Sequence, residues 1–425
     1  MTTALVVSRY FPNDSRTVGV HQRLGTQVQA LAKVVDRVDC LFLQPVDRRY
    51  AAQEIQEHEA RLRRLWSPAV WIRVAPTLVD DEPPTLWQRR GRGVFDFHAQ
   101  RIARPASTAA ACDAVSAAVD GRPDIILAHR LSSMCVLMAL ARKAPEKTRR
   151  APLFFDLDDI EHVSWFRRLL HDPGWPAERL QMLQVPRLML AEIQAIRLAA
   201  VTFVCSEADR RYLARFPGTE HVQTVPNSVT FPPLDDRDMS EPLVLFVGSM
   251  GYRPNIQAVD LLVQEIWPAV RAQVPAARLV VIGPCPELTA SYHTADESVI
   301  FPGFVDDLQS WYARARVVCC PIRHGGGTRV KIIEAAAHAK AIVSTRLGAE
   351  GLNFEEGREI ILRDAPAQLA EACVRLLGDR HGAARLGKAA LQKAHGTYER
   401  GAVVDRLAGI FRAGGSLNLR HRQEP

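Results

Sequence analysis

No run of apolar residues in this chain approaches the roughly 18–20 needed to span a bilayer as a helix. Nor do its eight cysteines (Cys40, Cys112, Cys135, Cys205, Cys285, Cys319, Cys320 and Cys373) include a Cys-x-x-Cys pair or a cysteine–histidine group at zinc spacing. That excludes the common zinc modules and dithiol redox motifs, and all eight read as reduced core residues. The opening stretch MTTALVVSR has no basic segment ahead of its apolar residues. It reads as a first buried strand, not as a secretion signal, so a cytoplasmic protein is expected. Lysine is scarce, with 7 among the 54 basic residues. No basic stretch is interleaved with aromatics in the manner of nucleic-acid binders, and no nucleic-acid partner is expected. Tandem repeats at short period are absent.

What is present is ordinary globular material: 425 residues, 47% hydrophobic and 24% charged, enough for two or three domains. The net charge of +7, carried mainly by arginine, suits phosphate-bearing ligands or an anionic membrane surface. Short β-rich runs at Ala4–Ser8, Arg37–Leu43, Val70–Val74, Asp124–Ala128, Pro152–Asp156, Ala200–Cys205 and His221–Val225 alternate with amphipathic stretches at Gly19–Lys33, Ala99–Val119, Ser133–Arg142 and Ala177–Leu198. The alternation predicts a doubly wound α/β domain over 1–230. A passage rich in Pro, Asp, Asn and Ser supplies a linker at 231–241. The β/α alternation then restarts over 242–397, with a closing helix at 398–413 that could return to the first domain and a polar, frayed tail at 414–425.

In such sheets ligands sit beyond the carboxyl ends of the strands, which directs attention to strand-to-helix turns. The most informative turn is Gly325-Gly326-Gly327, between the strand Val317–Ile322 and a helix that Thr328 can cap. Its exposed amides suit an anion. Arg329 and Lys331 stand in the first helical turn, where each costs about 0.3–1 kcal/mol against the helix dipole unless an anion is bound. Glu334, one turn further on, can accept hydrogen bonds from a hydroxyl pair. A flexible turn with a surface Lys/Glu pair is the competing reading.

The stretch GGGTRVKIIEAAAHAKAIVSTRLGAEGL resembles the nucleotide-sugar-binding signature of the group 1 (family 4) glycosyltransferases, which have the GT-B fold. LVLFVGSMGYRPNIQAVDLL, IFPGFVDDLQSWYARARVVCCPIRHGGG and TVPNSV are similar to further segments of that family in order and spacing. The resemblance implies two Rossmann-like domains facing each other across a cleft. It implies that Glu334 binds the donor ribose, that Gly248, Arg253, Gly325, Gly326, Gly327, Thr328, Arg329 and Lys331 serve the donor diphosphate and sugar, and that Gly348, Ala349 and Glu350 line the adjoining turn. Many members carry a second glutamate eight residues before the first. Gly326 stands there instead, which leaves the sugar-contacting role unassigned. Arg253 is offset from the usual place of a donor-domain cation.

The first half is more diverged. Gly19 and Arg23, in a stretch similar to the family's opening strand, loop and helix, are acceptor-side candidates. His129, at the end of the strand in DIILAHRLSSM, is a candidate contact for sugar or acceptor. The acidic turn FFDLDDIEH offers Asp158 and Asp159 for acceptor hydroxyls, with helix capping as the plain alternative. WFRRLL and RLQMLQVPRLMLAEIQAIRLAA mix arginine with bulky apolar residues; a core-facing helix is the favoured reading and a membrane-surface helix the other.

The implied activity is a metal-independent, retaining transfer of a sugar from a UDP- or GDP-sugar to an acceptor hydroxyl, with no cofactor. A sugar, a lipid-linked species or another hydroxyl compound is the acceptor expected. Bacterial polysaccharide or glycoconjugate synthesis is a plausible setting, with peripheral contact at the inner membrane face. A sugar-nucleotide epimerase and a non-catalytic nucleotide-sugar-binding protein are the alternatives.

Overall fold

The computed structural model describes residues 1–12, 19–45, 50–78, 109–171, 180–233 and 241–421. The chain divides into two compact units: Met1–Arg16, Val20–Pro226 and Val403–Pro425 form one, and Thr17–Gly19 with Asn227–Ala402 form the other.

The first unit holds a seven-stranded parallel sheet in the order β3-β2-β1-β4-β5-β6-β7. Its strands are β1 (Thr3–Ser8), β2 (Arg37–Pro45), β3 (Val70–Leu78), β4 (Ile125–His129), β5 (Leu153–Asp158), β6 (Val201–Val204) and β7 (Val222–Thr224). β1, β4 and β5 are almost wholly buried, because helices cover both faces of a parallel sheet and force near-continuous apolar runs. The second unit holds a six-stranded sheet in the order β10-β9-β8-β11-β12-β13. These strands are β8 (Leu243–Val247), β9 (Arg278–Ile282), β10 (Val299–Gly303), β11 (Val317–Cys320), β12 (Ala341–Ser344) and β13 (Ile361–Leu362). Both sheets are doubly wound, and in each the strand order reverses beside the first strand, at β1/β4 and at β8/β11.

Several expectations are corrected. The stretch expected as a helix over Ala99–Val119 is described as a helix at Ala109–Asp120, and 99–108 lie outside the described residues. The helical stretch between β8 and β9 is interrupted: it consists of Arg253–Leu261, a π turn at Leu262–Ile266, and Trp267–Gln273. One helix runs from Arg400 to His421, past the expected start of the tail at Gly414. Val403, Val404, Leu407, Ala408 and Phe411 are buried within the first unit, and the Phe411 ring meets Phe154 edge-on at 4.9 Å. Seven of the eight cysteines are buried as expected, but Cys285 is exposed, at a left-handed turn position with φ 60°. Of the linker, 234–240 lie outside the described residues.

Candidate active site

At the β8/β11 reversal two strand-to-helix turns lie side by side. The turn after β8 opens with Gly248, where a Cβ would lie 2.7 Å from both Asn255 Nδ2 and Lys331 Nζ. Glycine is therefore what lets those two side chains meet. Asn255, in the first turn of the helix Arg253–Leu261, donates from Nδ2 to the Ser249 carbonyl at 2.8 Å and accepts at Oδ1 from Lys331 Nζ at 2.8 Å. The Lys331 ammonium also lies 4.0 Å from the centre of the Phe246 ring. Burial pulls the Lys331 pKa down to about 8, with Arg329 adding to the effect.

The second turn follows β11. Gly325 (φ 109°) and Gly327 (φ 66°) adopt backbone conformations that disfavour any other residue, and a Cβ on Gly325 would come within 2.8 Å of the Tyr252 hydroxyl. Among the described residues, none of the Gly325–Gly327 amides donates a backbone hydrogen bond. The helix Val330–Ala337 starts here with Arg329, not Thr328, at its N-cap and with no side-chain cap. The expected cap is thus corrected: the Thr328 hydroxyl instead accepts from Asn227 Nδ2 at 2.9 Å. Arg329 turns back on the loop, its Nη1 donating to the carbonyls of Gly326, at 2.6 Å, and Gly327. Its Nε and Nη2 are buried without a partner among the described residues.

One helical turn on, Glu334 Oε2 accepts from the Tyr312 hydroxyl at 3.4 Å. Tyr312 is buried and stacks on His338, and burial together with the Glu334 charge pushes its phenol well up. The half-buried Arg400 also feels the Glu334 charge, which opposes the lowering of its own pKa by burial. Gly348 follows β12, its N–H donating to Thr345 Oγ1 at 2.8 Å. A Cβ there would meet Ser344 Oγ at 2.4 Å and the Cys320 carbonyl at 2.9 Å. Ala349 is buried and Glu350 half-buried in the same turn. Arg253 is exposed at the head of its helix. Asn255, Tyr312 and Arg400 are the members of this group that sequence reasoning missed; Asn255 could have been found in the turn GSMGYRPN, two residues past Arg253.

The first unit repeats the placement at its own reversal. Ser8, ending β1, and His129, ending β4, bring Oγ and Nδ1 to 3.0 Å. The ring is fully buried, Nε2 has no hydrogen-bond partner among the described residues, and Asp156 Oδ2 stands 3.9 Å away. Burial, helped by Arg130, drives the His129 pKa down to about 3, so the imidazole is neutral. Arg130 and Asp158 both take left-handed backbone conformations (φ 65° and 60°) and pair through Nη2 and Oδ2 at 2.5 Å. Burial opposes the charge on Asp158, but Arg130 and Arg23 hold its carboxyl below the usual range. Such paired departures from relaxed backbone persist where surrounding structure enforces them, often at functional sites.

Arg23 is buried, not exposed: Nε and Nη2 donate to Asp156, and Nη1 donates to the Val225 carbonyl at 2.9 Å. It ties the first helix to β5 and to the end of β7. Asp159 accepts from Ser164 Oγ at 2.8 Å, inside the first turn of the helix Glu161–His171. Gly19 begins the helix Gly19–Leu31, and the loop before it lies outside the described residues. Among the described residues no group of three or more His, Cys, Asp or Glu could hold a metal ion.

Residues 241–379 match the family model described as "Glycosyl transferases group 1". A Klebsiella pneumoniae protein named for its place in the cps region is 24% identical over 136 residues, which are 30% of this chain and 35% of that protein. The chain thus spans about a third of the length of the curated relative it matches. Among solved structures, Anabaena HepE in complex with UDP-glucose has a TM-score of 0.65 at 15% identity, covering 97% of this chain and 100% of that one. Sucrose-phosphate synthase from Thermosynechococcus elongatus scores 0.68 at 16% identity over 97% and 99%. S. aureus TarM with fondaparinux, alpha-GlcNAc-glycerol and UDP scores 0.68 at 11% identity over 97% and 100%. The fold is GT-B, with two Rossmann-like units. Residues 241–379 are thus similar to the group 1 glycosyltransferases.

Proposed function

We propose that the protein is a family 4, retaining glycosyltransferase using a UDP- or GDP-sugar and an acceptor hydroxyl, in synthesis of a bacterial polysaccharide or related glycoconjugate. The observation that carries the donor reading is the Lys331–Asn255–Gly248 group beside the Gly325–Gly327 amides at the β8/β11 reversal. A lysine held by burial near the edge of its charged range gains most from a dianionic ligand. In this reading the diphosphate takes the Lys331 ammonium and the turn amides, and Arg329 shapes the turn from behind. Glu334 takes the ribose hydroxyls, steadied by Tyr312 and Arg400. The UDP complexes of HepE and TarM support the choice of a nucleotide donor.

In the transfer, the bond from the anomeric carbon to the diphosphate oxygen breaks and a bond to the acceptor oxygen forms on the same face. The acceptor proton passes to the departing phosphate oxygen. Fixed amides and a cation aimed at the charge that develops on the diphosphate supply the main stabilisation. His129, neutral and with Nε2 unpartnered among the described residues, would bond a hydroxyl of sugar or acceptor. Arg130 and Asp158 would orient the acceptor.

The test is a thermal-shift screen of UDP- and GDP-sugars, followed by release of nucleotide diphosphate in the presence of acceptor extracts. One donor class should raise the midpoint, since binding stabilises the native state by mass action. Epimerised donor without acceptor-dependent release would overturn the reading, as would saturable binding with no turnover in any extract.

A further inference from the structure

The turn that carries Asp158 into the helix Glu161–His171 is tight: the Asp159 N–H donates to the Leu157 carbonyl at 2.7 Å. Ile160 stands at the helix cap, its carbonyl accepting from the Ser164 N–H at 3.0 Å. Its side chain has no oxygen with which to bond the first amides of the helix, which need an acceptor. That acceptor comes from another helix. Glu192, fully buried on Val185–Leu198, accepts from the Glu161 N–H at Oε1 (2.7 Å) and from the His162 N–H at Oε2 (3.1 Å). The His162 ring meets the same Oε2 through Nδ1 and reaches the Tyr212 hydroxyl through Nε2 at 2.8 Å. Among the described residues, the hydrogen bonds of this buried carboxylate thus fall on two consecutive residues. A buried charge is a costly way to stabilise a fold; three bonds onto one helix end are an effective way to fix where that end lies.

The residue so fixed is next to the His129 group. Glu161 Oε1 lies 3.6 Å from Arg130 Nη1, while Arg130 Nη2 donates to Asp158. The other carboxylates of the turn are committed: Asp158 to Arg130 and Arg23, Asp159 to Ser164. Among the described residues the Glu161 carboxyl makes no hydrogen bond, and its side chain is 21% exposed. Burial, with Asp159, Glu192 and Asp158 adding to it, pushes this carboxyl up to about 8 against the pull of Arg130. Near neutral pH it can therefore donate a hydrogen bond as well as accept one.

We propose, on the reading that the His129 group binds the acceptor, that Glu161 is a further contact for an acceptor hydroxyl and that Glu192 is its positioning residue. Glu192 acts from behind, through the backbone of the helix end, and touches no substrate itself.

The test is the acceptor KM in the nucleotide-release assay for Glu161→Ala, Glu192→Gln and the two together. Glu161→Ala keeps the amide that Glu192 bonds, so it should raise the acceptor KM about tenfold with the donor KM and thermal midpoint near wild type. Glu192→Gln keeps the shape but turns an NH2 group towards one of its donors. It should give a similar rise with a lower midpoint. In the double variant the acceptor KM should be no higher than in Glu161→Ala, because a residue acting through another adds nothing once that other is gone. Leu188→Ala, a core change on the helix of Glu192, should lower the midpoint and leave the acceptor KM unchanged. A wild-type acceptor KM in Glu161→Ala, additive rises in the double variant, or the same rise in Leu188→Ala overturns the proposal. The first of these decides it even where Glu192→Gln does not fold. Wild-type protein with no acceptor-dependent release sinks the reading beneath it. A crystal structure of Glu192→Gln then still decides the clamp, which requires Glu161 to leave Arg130 and is wrong if the two stand unmoved.

Discussion

Lys331 donates to Asn255 at 2.8 Å across the two turns that leave β8 and β11. Neither residue is near the other in sequence, and each arrives in the first turn of its own helix. The pair therefore exists only because the sheet reverses its winding between those two strands.

Removing that charge should separate stability from function. With Lys331 at about 8 in the fold and near 10.4 when unfolded, the unfolded chain binds more protons between those values. Stability without ligand should therefore rise as pH increases from about 8 to about 10.4. Lys331→Met should abolish that rise and leave the thermal midpoint equal to or above wild type. Turnover should fall by at least about 100-fold. Thermal melts across pH, paired with nucleotide-release assays, check both halves.

Gly248→Ala tests the same group without altering its charges. The new Cβ would stand 2.7 Å from both Lys331 Nζ and Asn255 Nδ2, and those flexible ends must separate. Donor affinity should drop about tenfold or more, with a midpoint shift much smaller than a core mutation gives. Calorimetric titration with nucleotide diphosphate measures it.

Glu334→Ala should lose turnover almost entirely. Tyr312→Phe, which removes one long hydrogen bond of 3.4 Å, should raise KM only a few-fold and leave kcat nearly intact. A Tyr312→Phe enzyme as inactive as Glu334→Ala would mean that the carboxylate is aimed by the phenol, not merely steadied.

His129 should show itself in acid stability. Its pKa is about 3 in the fold and near 6.5 unfolded, so the unfolded state takes up the extra proton and stability falls as pH drops from about 6.5 towards 3. His129→Gln should be less sensitive over that range in denaturant titrations. The pH–rate profile above pH 5 should carry no limb belonging to this ring.

The candidate donor turn stood out in the sequence because its residues are local. Glycines, cations and Glu334 lie within ten residues of one another, and helical spacing orders them. Asn255 escaped notice because its partner is 76 residues away, and Arg130 because a left-handed arginine leaves no mark in composition. Arg23 was singled out for ligands and turned out to be bound to Asp156, 133 residues distant; only the register of β5 against its neighbours brings them together. Thr328 looked like a helix cap by position, but Asn227 claims its hydroxyl and the helix starts a residue later. Strand positions were readable for the opposite reason: burial on both faces writes continuous apolar runs.

The helix that buries Phe411 against Phe154 and Phe203 has a consequence for synthesis. Those two rings belong to strands made early, yet their edge-on partner leaves the ribosome only after all of Asn227–Ala402. The first sheet must wait, with part of its aromatic layer uncovered, while the second unit has already emerged almost entire. On the nascent chain, the half translated later is the one able to complete its core first.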